Sequence, residues 1–158
     1  MEKPTQRAAA DEKFVVFRLA GERYGLPIRS VKEIIVLREV TRLPEMAGYM
    51  EGIVDLRGRI IPVINLRRKL GLPSGSPERT VRTIVAEFGE AEAGLVVDEV
   101  DGVVRVDASS MEAPPQTAQG DGRAVSGITR FQDRLVILLD PAVVLEPQEV
   151  LGLSLHNR

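Results

Sequence analysis

The chain has no cysteine, so neither a disulfide framework nor a thiolate metal site is open to it, which is compatible with a reducing cytoplasm. Tryptophan is absent too, and aromatic residues reach only 4%. A sequence-tolerant binder of single-stranded nucleic acid needs a basic groove with stacking rings. This chain is short of rings and carries a net charge of -2. The only histidine, His156, lies near the C-terminus with no second histidine or base partner beside it in sequence. It reads as a solvated side chain, which leaves Ser/His/Asp catalysis without its general base. No apolar run reaches the ~18 residues of a membrane-spanning helix, and the polar, mixed-charge stretch from Met1 to Lys13 does not read as a signal peptide. Residues 1–12 are expected to form a disordered tail, and no direct membrane insertion is expected.

What is present is 44% hydrophobic and 28% charged residues over 158 positions. That is the composition of a soluble globular protein, long enough for one domain or two small subdomains sharing an interface. The pattern centres on Glu51 to Gly71. Ile53–Leu56 and Ile60–Ile64 are apolar runs of strand length, rich in β-branched residues. Arg57-Gly58 between them reads as a two-residue hairpin turn, with Gly58 able to take a positive φ. Asn65 can cap a short helix over Leu66–Leu70, which Gly71 and Pro73 stop. A cationic side chain is thereby held at the tip of an otherwise apolar hairpin.

Upstream, Phe14–Ala20, Tyr24–Ile28 and Val31–Leu37 read as strands, and Met46–Tyr49 as one helical turn. Leu72–Pro77 is the clearest linker. Beyond it, Thr83–Phe88, Gly94–Val97 and Val103–Val106 read as strands, and 113–122 as a polar, Pro/Gly-rich loop. Val125–Phe131 and Arg134–Leu139 then form a second long hairpin, followed by a helix that Asp140-Pro141 starts.

The two halves repeat one another. With a shift of 69, Gly25, Leu26, Ile28, Val31, Ile34 and Ile35 fall on Gly94, Leu95, Val97, Val100, Val103 and Val104. With a shift of 75, Gly52, Ile53, Leu56, Arg59, Ile60 and Asn65 fall on Gly127, Ile128, Phe131, Arg134, Leu135 and Asp140. Many short strands with little helix point to an all-β fold, small barrels or a sandwich, built from two five-stranded units packed together, with short helices. The expected division is approximately 13–72 and 79–146, with exchange of end strands between them allowed for. The remaining 147–158 is a C-terminal segment for which a helix is an option.

Four stretches carry a resemblance to a known family: FVVFRLAGERYGLPIRSVKEII, RLPEMAGYMEGIVDLRGRIIPVINLR, AGLVVDEVDGVV and SGITRFQDRLVILLD. Together, across Lys13 to Leu145, they resemble the CheW family of chemotaxis coupling proteins. The resemblance implies SH3-like barrels and a non-enzymatic, cytoplasmic adaptor without cofactors. Such an adaptor joins chemoreceptor cytoplasmic tips to the regulatory domain of a CheA-type histidine kinase in membrane-associated arrays. It further implies a receptor-binding set of Val15, Ile28, Val31, Glu33, Gly52, Arg57 and Val100. The kinase-binding set is Arg82, Ile84 and Val103.

Asp55 stands where the family commonly has Asn and can pair with Arg57 or Arg59. Glu112 and Thr117 depart from the pattern of family members that extend arrays. Two other readings remain open on the residues: a coupler for another kinase pathway such as twitching motility, or a small-barrel nucleic-acid binder using Arg67-Arg68-Lys69. The Asp98, Glu99 and Asp101 group lacks EF-hand spacing and reads as a turn between strands rather than a metal site.

Overall fold

A computed structural model describes residues 11–73, 75, 79–114 and 123–146. The expectations for the N-terminal tail, for Thr117, for His156 and for the segment from 147 onward lie outside the described residues. The described chain forms ten strands: β1 Asp11–Leu19, β2 Glu22–Pro27, β3 Val31–Ile35, β4 Met50–Leu56, β5 Arg59–Asn65, β6 Arg82–Phe88, β7 Ala91–Val97, β8 Glu99–Asp107, β9 Val125–Phe131 and β10 Arg134–Leu139. Short helices α1, Leu66–Lys69, and α2, Pro141–Val144, follow the two long hairpins. Each begins at the cap its sequence offers. Asn65 accepts from the Arg68 amide at 3.1 Å, and Asp140 from the Ala142 amide at 2.9 Å.

The strands make two five-stranded sheets, ordered β8-β1-β2-β10-β9 and β3-β6-β7-β5-β4. Each curls closed through a single bridge. Glu112 pairs with Ile128 in the first barrel, and Thr41 with Ile53 in the second. Both barrels also contain one parallel pairing at equivalent positions, Leu138 beside Gly25 and Val63 beside Gly94.

The division at residues 72–79 does not separate the barrels. The second barrel is continuous from Val31 to Val97, while the first joins β1 and β2 to β8, β9 and β10. Connection length is the physical reason. A third strand beside β1 would run parallel to β2, and such a crossover takes a dozen or more residues. Only Ile28–Ser30, a turn of 3-10 helix, links β2 to β3, and only Asp98 links β7 to β8. Each third strand therefore runs on into the neighbouring barrel. Met46–Tyr49 is not a helical turn: one turn precedes it, with Glu45 at φ 58, and a second lies at Gly48-Tyr49, where the Met50 amide donates to the Ala47 carbonyl.

Strands β1 and β6 are buried on both faces. From β1, Phe14 and Val16 fill the first barrel with Val106, Val136 and Leu138, while Val15, Phe17 and Leu19 face a core shared by the barrels. From β6, Val85 fills the second barrel with Leu56 and Ile61, while Ile84 and Ala86 join the shared core. Phe17 stacks on Tyr24 there, ring centroids 6.3 Å apart.

Candidate functional site

The β4–β5 hairpin turns through Arg57 at φ 55 and Gly58 at φ 88, the type I′ geometry that its two-residue loop requires. Asp55 accepts the Gly58 amide at 2.9 Å and so closes the turn on itself. It does not pair with Arg57 or Arg59, as the sequence allowed. Arg57 instead reaches Glu33 on β3 with both prongs of its guanidinium, at 2.6 and 2.7 Å. The Arg57 side chain remains 66% exposed. The guanidinium holds the Glu33 carboxyl below its ordinary range, and the carboxylate raises Arg57 in turn. Beside this pair, Arg59 and Lys32 both donate to Glu92, at 3.0 and 3.1 Å.

The remaining receptor-set residues divide by burial. Ile28 is exposed in the turn between β2 and β3. Val31 and Val100 are half-buried against the shared core at equivalent positions of β3 and β8. Val15, by contrast, is buried within that core, because β1 is covered on both faces. Gly52 is buried at φ +148, where a Cβ would lie 2.2 Å from the Thr41 carbonyl oxygen, so its place is the closure of the second barrel. Of the kinase set, only Val103 is well exposed, at 54%. Ile84 is fully buried between Ile34 and Leu95, and half-buried Arg82 is turned back onto the Arg79 and Val81 carbonyls.

Beyond Val103, which the kinase set names, sequence reasoning missed the apolar positions that the repeat exposes twice. Ile34 and Val103 are equivalent and both open to solvent, and so are Ile60 and Leu135. The repeat register together with strand alternation held that signal. It also missed the Arg57–Glu33 link, which crosses 24 residues and leaves no local pattern.

The basic cluster of α1 is committed elsewhere. Arg67 grips Asp98 at 2.6 Å and donates to the Pro73 carbonyl, Arg68 donates to the Gly48 carbonyl, and Lys69 lies 4.7 Å from the Tyr49 ring centroid. Burial pushes the Lys69 ammonium down. These contacts remove the open basic face that a nucleic-acid reading requires. Asp98 also accepts the Ala20 amide, and Asp101 faces Arg18 and Arg23. Asp98 and Asp101 are thus engaged by arginines and backbone.

Comparison with known proteins agrees with this geometry. The family model described as "CheW-like domain" matches residues 13–149. The chain is 32% identical to "Chemotaxis protein CheW" of Bacillus subtilis, covering 91% of this chain and 93% of that protein. It is 31% identical to "Protein PilI" of Pseudomonas aeruginosa, covering 72% and 65%. Among solved structures, scaffolding protein TtCheW from Thermoanaerobacter tengcongensis superposes with a TM-score of 0.80 at 37% identity, covering 87% of this chain and 94% of that one.

Proposed function

The chain belongs to the CheW-like domain family, and from that premise we propose that it couples chemoreceptor cytoplasmic tips to a CheA-type histidine kinase. Proteins of this family are scaffolds rather than enzymes, and the work of this one is linkage between other proteins. The observation that supports the receptor contact is the Arg57 guanidinium. It is two-thirds exposed yet already oriented by two short hydrogen bonds at the end of a rigid hairpin. A carboxylate or a set of carbonyls on a partner helix can take it over from Glu33 with little ordering cost. Ile28, Val31 and Val100 supply apolar surface beside the shared core for the stripe of that helix. Val103 and its repeat-mate Ile34 offer exposed apolar strand surface to the kinase's regulatory domain. No helix among the described residues is long and apolar enough to cross a membrane.

Arg57→Asp tests the reading, because aspartate tolerates the positive φ of the turn. Calorimetric titration with a chemoreceptor cytoplasmic fragment should show affinity falling about tenfold or more. The thermal midpoint should stay near wild type, since an exposed ion pair contributes little to stability. Unchanged affinity removes Arg57 from the contact. A pull-down with the purified chain as bait should bring kinase and receptor down together.

A further inference from the structure

We propose that Asp55 is a positioning residue: by closing the β4–β5 turn through the Gly58 amide, it holds Arg57 on Glu33 in the pose a partner meets. The inference rests on the reading of Arg57 as a receptor contact and names the residue that sets its geometry.

Three observations carry it. Arg57 occupies a left-handed backbone conformation, φ 55, which a non-glycine residue keeps only when its surroundings impose it. Its turn is short and exposed, and the side-chain cap over it is the 2.9 Å bond from the Gly58 amide to Asp55. Asp55 spends its carboxylate on that amide although an arginine flanks Gly58 on either side, Arg57 and Arg59, each of which pairs with a glutamate instead. The carboxylate therefore shapes the backbone and leaves the guanidinium open.

The second long hairpin of the same molecule serves as an internal control. It makes the same turn, with Gln132 at φ 54 and Asp133 at φ 62. The repeat register places Arg130 where Asp55 stands, Gln132 where Arg57 stands, and Gly102 where Glu33 stands. Cap, cation and carboxylate are present together in one copy and missing together in the other. A cap needed only for folding would be expected at both turns. Its occurrence with the presented arginine alone points to presentation.

A double-mutant cycle separates the possibilities, using Asp55→Ala, Asp55→Asn and Arg57→Asn with a chemoreceptor cytoplasmic fragment as the titrant. Asp55→Ala should weaken binding about fivefold. Asp55→Asn, which keeps the acceptor oxygen, should stay within about twofold of wild type, and Asp55→Ala should add nothing in the Arg57→Asn background. A loss on Arg57→Asn with none on Asp55→Ala overturns the positioning role and leaves the receptor reading intact. An equal, additive loss in both backgrounds also overturns it. No loss on Arg57→Asn removes the receptor reading instead. The positioning role is then decided by NMR titration of the Glu33 carboxyl in the full chain. Its midpoint should rise in Asp55→Ala if Asp55 holds Arg57 in place, and an unmoved midpoint overturns the proposal.

Discussion

Gly52 has no room for a methyl group: at φ +148, a Cβ would meet the Thr41 carbonyl oxygen at 2.2 Å and Val40 Cγ1 at 2.7 Å. Its repeat-mate Gly127 would meet the Glu112 carbonyl oxygen at 3.4 Å, an ordinary contact. Gly52→Ala should therefore lower the unfolding free energy by roughly 2–4 kcal/mol, and Gly127→Ala by about 1 or less, as read by denaturant titration. Glu33 gives a pH signature at the same scale. Its folded-state pKa is depressed by the Arg57 hydrogen bonds, so the link is complete above the ordinary carboxylate range and opens as pH falls through the lower folded value. NMR should place the Glu33 midpoint below that of an unperturbed glutamate, and Arg57→Asn should move it up. Caps and turn glycines were legible in the sequence because Asn65, Asp140 and Gly58 act on their immediate neighbours. The poor alternation of Phe14–Ala20 reads as a strand buried on both faces, as Val15 is, whereas the burial of Ile84 was not legible, since nothing in its short apolar run shows which side is in.

Two of the four residues of helix α1 anchor it, Leu66 in the shared core and Arg67 through long-range hydrogen bonds. Arg67 bonds Asp98 with two nitrogens, donates to Pro73, and so ties the end of the β4–β5 hairpin to the single residue joining β7 to β8. Arg67→Ala should leave Asp98 with the Ala20 amide and cost about 1–3 kcal/mol, visible as a lower denaturant midpoint with an unchanged slope. Most elements were legible from short β-branched runs bounded by turn residues. The second hairpin turn, Gln132-Asp133, was placed correctly without a glycine to mark it. Residues 46–49 misled because methionine, alanine and glycine carry no period, and the run is shaped by the positive φ of Glu45 and by the closing bridge of Thr41.

A cut between the two sequence halves does not part the barrels, because the first barrel takes strands from both halves and the second spans the junction. A protease site introduced at 74–78 and cleaved would leave one fragment with β1–β5 and the other with β6–β10, each supplying strands to both sheets. The nicked protein should elute as one species under native conditions and part only in denaturant, with a single unfolding transition. Two separately migrating folded fragments would contradict the strand exchange. The duplication was legible from matched glycines and caps, and exchange of end strands was allowed for, but which strands cross over was not legible. Register patterns are identical whichever copy a strand pairs with, and only the brevity of the β2–β3 and β7–β8 connections distinguishes the two arrangements. That reciprocity has a consequence for assembly. Because one chain carries both halves, their encounter does not depend on dilution, and matched positions can hold different residues, as Arg57 and Gln132 do.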